Sequence, residues 1–182
     1  MVDEVTFIEQ LKDPQTKEKA FRELVSTYKE RLYWHIRKIV ISHDDADDVL
    51  QNTFLKVFRS INNFKQESQL FSWMYRIATN ESISFINKRA REQNLDISDF
   101  QQKLTSNLDS DSLFTGNDIQ LILQKAVKRL PTKQQLVFNM KYFDNLKYRQ
   151  IAEILETSEG ALKASYFHAV KKIEDYIKNT AH

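Results

Sequence analysis

Two glycines, Gly116 and Gly160, and two prolines, Pro14 and Pro131, are all that a chain of 182 residues contains. A many-stranded sheet or barrel needs such residues at its turns, so that class of fold is set aside. The apolar residues recur instead with helical spacing. From residue 42 to residue 80 they fall at Val49, Leu50, Phe54, Val57, Phe58 and Ile61. A polar break over 62–69 then precedes a second helix carrying Phe71, Trp73, Tyr75 and Arg76. The expected fold is all-α.

The same spacing extends both ways. Val5 to Leu11 reads as one or two helical turns ending near Pro14. Over 18–41 an apolar face runs through Phe21, Leu24, Val25, Tyr28, Leu32, Tyr33, Ile36, Ile39 and Val40. Arg22, Lys29, Arg31, Arg37 and Lys38 are expected on the outside. Ser42 suits an N-cap, and Asp44 and Asp45 in the first turn suit the helix dipole. Ser68 is the expected cap of a third long helix over 69–91, with Leu70, Met74, Ile77, Ala78, Ile83 and Ile86 inward. Helices with short connections make a compact bundle.

Residues 92–115 are polar, acidic and without a firm period, and read as an extended linker whose scattered apolar groups dock elsewhere. A second helical pattern begins at Asp118 with Ile119, Ile122, Leu123, Ala126, Val127 and Leu130. Pro131 fits the first position of a further helix filled by Leu136, Val137, Met140 and Phe143. The expected organisation is a module over 1–91, a linker over 92–117 and a second module over 118–182.

Charge follows this division. The chain is +2 overall, but 1–91 carries +2, 92–118 carries −5 and 119–182 carries +5. The last module is where an anionic polymer binds first. There is no cysteine, hence no disulfide or thiolate chemistry. The start, MVDEVTFIEQL, resembles no signal peptide, and no run is long enough to span a membrane, so a cytoplasmic protein without membrane insertion is expected.

The most informative local pattern lies near the end. A short helix over 148–156, a turn of Thr157, Ser158 and Glu159, and a helix to about residue 178 have helix-turn-helix spacing. Leu162, Tyr166, Ala169, Ile173 and Tyr176 face inward, leaving Glu159, Lys163, Phe167, His168, Lys171 and Lys172 outward. Gly160 in the first turn suits a backbone that must approach another helix or a DNA strand closely. A plain helical hairpin shares these features, and the basic excess favours DNA.

Taken together, DDADDVLQNTFLKVFRSINNF, LFSWMYRIATNESISFINKR and LPTKQQLVFNMKYFDNLKYRQIAEILETSEGALKASYFHAVKKI resemble a bacterial RNA polymerase sigma factor of the extracytoplasmic-function (ECF) group. The resemblance covers roughly 18–91 and 119–178. It implies two helical domains, a three-helix region 2 and a four-helix region 4, joined by a flexible acidic linker. It also implies a transcription initiation factor that binds core RNA polymerase and opens promoter DNA, with an anti-sigma factor as a further partner, no cofactor, no metal and no catalysis of its own.

By the same resemblance, Asp44, Asp45, Asp47, Asp48 and Gln51 fall where family members grip the clamp helices of the polymerase's largest subunit. Fixed carboxylates steer a basic partner, and their capping role coexists with that. Phe64, Lys65, Ser68, Trp73, Arg76 and Asn80 fall where the family captures the unpaired strand of the −10 element, by aromatic stacking and edge hydrogen bonds. Trp73 is divided between core and surface. Ser158, Glu159, Gly160, Lys163, Ser165, Phe167, His168 and Lys171 are left to meet the −35 duplex, with Lys groups positioning and base-edge contacts specifying.

The chain also departs from the family. Members often carry Gly-Thr-Val-Lys-Ser-Arg where this sequence has Gly160, Ala161, Leu162, Lys163, Ala164 and Ser165. The customary arginines are Ser165 and Val170 here, which leaves fewer cations for −35 binding. Phe167 either touches a thymine methyl or lies against the upstream helix. The linker either threads toward the polymerase active centre or is a tether.

An enzyme finds little support: no Gly-rich phosphate loop is present, and the acids lie in one helical turn rather than across a pocket. A metal site lacks a converging fourth ligand, since His43 precedes the helix. The alternative function is a free-standing helix-turn-helix regulator that binds duplex DNA without polymerase. The first module argues against it, because it pairs an acidic docking helix with an aromatic single-strand surface.

Overall fold

The computed structural model describes residues 3–106, 108 and 118–180, and all regular structure among them is helical. Two compact units divide the chain, Met1–Phe85 and Ile86–His182.

The first unit contains α1 (Glu4–Lys12), α2 (Lys17–Val40), α3 (His43–Ser60), a 3-10 turn (Ile61–Asn63) and the larger part of α4 (Leu70–Glu92). Local chemistry sets the helix starts. The Asp3 carboxylate accepts from the Thr6 amide at 3.0 Å, and the Ser42 hydroxyl oxygen accepts from the Asp45 amide at 3.4 Å. Each satisfies an amide that the helix itself leaves open. Helix α2 stops where Ile41 takes φ 70°, a region β-branched residues rarely enter.

Leu24, Leu32, Ile36 and Val40 of α2, Ala46 and Val57 of α3, and Met74 and Ala78 of α4 are fully buried. Each large apolar side chain so buried contributes about 1.5–3 kcal/mol. His35 is buried among them, its ring 4.4 Å from that of Tyr75. The Thr79 hydroxyl lies 2.8 Å from His35 Nε2 and donates to the Tyr75 carbonyl at 2.7 Å. With its one proton used there, Thr79 accepts from His35, which assigns the proton to Nε2.

Two expectations change here. Arg37 is not outward but 2% exposed. At the start of α4 the Leu70 amide donates to the Glu4 carboxylate of α1 at 3.1 Å, so a side chain of a distant helix, where the sequence suggests Ser68, meets this amide. Lys12 of α1 also donates to the Phe64 carbonyl at 2.7 Å. The short N-terminal helix therefore braces the 64–70 segment at both ends.

The second unit takes in the end of α4, then α5 (Ile97–Ser106), α6 (Asp118–Lys128), α7 (Thr132–Phe138), a π-helical turn (Asn139–Phe143), α8 (Tyr148–Leu155) and α9 (Glu159–Thr180). Ala126, Val127, Leu130, Phe138, Ala169 and Ile173 form its core, with Leu123, Tyr166, Val170 and Tyr176 packed on the edge. Pro131 is the N-cap of α7 rather than its first helical residue. The Gln135 side-chain amide ties the α6–α7 turn by donating to the Leu130 carbonyl at 2.7 Å and to that of Lys128 at 3.2 Å.

Helix α5 was not expected, since this segment reads as extended. Ile97, Phe100, Leu104 and Leu108 are three, four and four residues apart, a helical stripe diluted by polar neighbours. Phe100 and Leu108 are buried, at 5% and 1% exposure. Phe143, expected inward, is 36% exposed. A π turn holds more residues than an α turn and so rotates the register beyond Met140, which stays buried.

Candidate nucleic-acid interface

Three faces carry the expected residues. On α3, Asp44, Asp48 and Gln51 are exposed, while Asp45 and Asp47 are half-buried. Asp47 lies 3.5 Å from His43 Nε2, and His43 Nδ1 is 2.6 Å from the Tyr33 hydroxyl. Positions 44, 48, 51 and 55 follow one helical stripe. The sequence reading stopped at Gln51, but Leu55 is 51% exposed and adds an apolar group to this charged row.

On the second face, Lys65 and Asn80 are exposed and Ser68, Trp73 and Arg76 are half-buried. Residues 73, 76 and 80 share one side of α4. Phe64 is different: it is 4% exposed, with Trp73 on it at 4.8 Å between ring centroids. As placed, Phe64 offers no free face to a base and instead supports the Trp73 ring. The neighbouring Phe71 is also buried, under the Arg31 guanidinium at 4.2 Å.

The third face is on α9. Ser158 caps it by accepting from the Ala161 amide at 3.2 Å. Leu162 and Ala169 are fully buried, and Leu162 shares the buried side of this unit with Ile151 and Ile154 of α8. The opposite side exposes Glu159, Gly160, Lys163, Phe167, His168 and Lys171, with Ser165 half-buried at the flank. Phe167 is 55% exposed, so it does not lie under the upstream helix. Lys171 sits 4.9 Å from its ring and Lys163 sits 5.7 Å from that of Tyr148, both within cation–π range. Burial raises the phenol pKa of Tyr148 and of Tyr166, so both rings are neutral at physiological pH. A Cβ added at Gly160 meets nothing within 4 Å, so no neighbouring helix accounts for the glycine.

Residues 24–92 match sigma-70 region 2, and residues 120–173 match sigma-70, region 4. The chain belongs to the sigma-70 family of sigma factors. Its relatives place it in the ECF group. The sigma factor is 26% identical over 175 residues to the ECF RNA polymerase sigma-E factor of Haemophilus influenzae, covering 90% of each chain. It is 26% identical over 152 residues to the ECF RNA polymerase sigma factor SigW of Bacillus subtilis, covering 79% of this chain and 81% of that one. In fold it is similar to CnrH, solved in complex with the cytosolic domain of CnrY (TM-score 0.70, 18% identity, 97% of each chain). It is also similar to the sigma factor RpoE of Bartonella quintana, solved with the anti-sigma factor NepR (TM-score 0.66, 21% identity, 88% of this chain and 98% of that one).

The sigma factor is thus a transcription initiation factor: it binds core RNA polymerase, directs it to promoters through the −35 and −10 elements and helps melt the DNA. No described helix is long and apolar enough to cross a membrane.

Proposed function

We propose that the three faces divide the work of initiation by residue. Asp44, Asp48 and Gln51, with Asp45, Asp47 and Leu55 beside them, dock on core polymerase. Lys65, Ser68, Trp73, Arg76 and Asn80 hold the unpaired −10 strand, with Phe64 as the support of Trp73. Ser158, Glu159, Gly160, Lys163, Ser165, Phe167, His168 and Lys171 meet the −35 duplex. The domains that carry these faces run over 1–91 and 118–182, joined through 92–117.

The observation that carries this reading is the two-sidedness of α9. Its buried row, Leu162, Ala169 and Ile173, anchors the helix, while the opposite row is exposed, cationic and aromatic. A recognition helix needs one face held by the domain and the other free for the groove. Lys163 and Lys171 position on phosphates, Phe167 contacts a thymine methyl and Glu159 accepts from a cytosine amino group. The aromatic −10 face works differently, since unstacked bases are held by ring faces and by cations on phosphates.

The protein acts in the cytoplasm with core polymerase and performs no covalent chemistry of its own. An anti-sigma protein is a further partner. The support is that the similar RpoE was solved with one. The test is promoter binding by the reconstituted holoenzyme. Lys163→Glu lowers affinity for fragments that extend through the −35 region and leaves fragments truncated downstream of it unaffected; equal loss on both refutes the assignment of α9.

A further inference from the structure

Between the 3-10 turn that ends at Asn63 and the start of α4 at Leu70 the chain has no regular structure, yet both ends of this segment are tied to the same short helix. Lys12, at the C-terminal end of α1, donates to the Phe64 carbonyl at 2.7 Å. Glu4, at the N-terminal end, accepts from the Leu70 amide at 3.1 Å. An amide in the first turn of a helix has no acceptor within that helix, so the Glu4 oxygen fills a vacancy that α4 leaves. Helix α1 is itself anchored: Ile8 and Leu11 are 2% and 0% exposed, and the helix packs on α2 and on the 3-10 turn. A helix fixes the distance between its ends, so α1 fixes the spacing of two points on the loop.

What lies between the ties has an uncommon shape. Gln66 takes φ 59°, in the left-handed region that a residue with a side chain keeps only when its surroundings hold it there. It stands between Lys65, which is exposed, and Ser68, which is half-buried, both assigned above to the −10 strand.

We propose that α1 is the positioning element of this loop, with Glu4 and Lys12 holding it in its binding shape before the strand arrives. The inference rests on the −10 reading of this face. A loop already ordered costs less to bind. A loop that samples other shapes binds only through the fraction in the right one, and its apparent affinity falls by that fraction. Glu4 and Lys12 act here as positioning residues, through the backbone of 64–70 rather than on a base.

The charge of Glu4 gives the proposal a distinctive sign. Removing a carboxylate near a phosphate chain strengthens binding when charge alone matters. Loss of the brace weakens it. The two effects oppose each other in Glu4→Ala, whereas Glu4→Gln keeps a carbonyl oxygen to accept from Leu70 and loses only the charge.

The test uses holoenzyme reconstituted with the full-length protein. The probe is a fluorescein-labelled single strand, selected from a randomised pool for binding to the wild-type holoenzyme and followed by anisotropy. Glu4→Ala and Lys12→Met each weaken binding about fivefold or more, and Glu4→Gln does not. Amide hydrogen exchange across 64–70 quickens in the two weakened forms, while their affinity for core polymerase, which α3 serves, stays at the wild-type value. Trp73→Ala is run beside them. If Trp73→Ala weakens binding but Glu4→Ala leaves it unchanged or tighter, the brace is overturned and the −10 reading stands. If Trp73→Ala has no effect, the −10 reading fails and the inference falls with it. Equal loss of core-polymerase affinity, or unchanged exchange across the loop, also overturns the proposal, because the substitutions then act on the whole unit or not on the loop.

Discussion

The ring of Trp73 lies on that of Phe64, with 4.8 Å between centroids and 33° between planes. Phe64 is in the core and Trp73 is half-exposed. The pair couples a buried anchor to the residue proposed to meet the −10 strand, and the two substitutions separate these roles. Phe64→Ala destabilises the first unit by about 3–5 kcal/mol, as buried aromatic truncations do. Trp73→Ala destabilises less but removes a stacking platform of about 1–3 kcal/mol per base. Urea unfolding and single-strand affinity of the holoenzyme check both; a Trp73→Ala holoenzyme with unaltered affinity removes the residue from the −10 site.

Gly160 has open space around its α-carbon. Gly160→Ala therefore stabilises the second unit by roughly 0.5–1 kcal/mol, since alanine is the better helix former. If DNA backbone approaches this turn, the same methyl group lowers −35 duplex affinity. The expected outcome is opposite signs in urea unfolding and in duplex titration; a gain or no change in affinity counts against close approach.

Much of this was legible in the sequence, for identifiable reasons. The long amphipathic helices α2, α3 and α9 repeat their apolar spacing over many turns, so Leu24, Val57 and Ala169 announce their side. The Ser42 cap and the acids after it are short-range chemistry. Contacts between distant segments were not legible. Glu4 on the Leu70 amide and Lys12 on the Phe64 carbonyl join residues far apart in the chain, and no local pattern signals them. Helix α5 was missed because only its apolar stripe is helical, while the acids and amides around it read as linker. Phe64 was placed with the base-binding residues by its position in the family motif, yet burial depends on packing that motif position does not report.

The acidic row on α3 acts through long-range attraction. Asp48→Lys slows association with core polymerase about tenfold at low ionic strength, and the difference shrinks as salt rises. Thermal unfolding stays within about 0.5 kcal/mol of wild type, because Asp48 is exposed and away from the cap. Stopped-flow association across a salt series checks it. A salt-independent effect, or none, contradicts electrostatic docking.

Tyr28 supplies a pH test of the first unit. Burial, then the Glu4 carboxylate, raises its phenol pKa above the ordinary 10.0, against a smaller opposing effect of Arg31. The folded state thus favours the neutral phenol. Its stabilisation is whole below pH 10 and is lost as pH rises toward the raised folded value, because the unfolded chain releases its proton first. Between wild type and Tyr28→Phe, the wild type loses more stability over that window. Parallel curves of unfolding free energy against pH contradict the shift.

The most direct test of the account is run-off transcription from a pool of promoter fragments with core polymerase, with and without the protein, and with Trp73→Ala and Lys163→Glu forms. The account predicts initiation only when the protein is present, on fragments sharing −35 and −10 elements. Lys163→Glu then lowers initiation from these fragments, and Trp73→Ala blocks opening without releasing the complex. No initiation from the pool, together with a shift of duplex DNA by the protein alone, contradicts it and makes a free-standing regulator the better description.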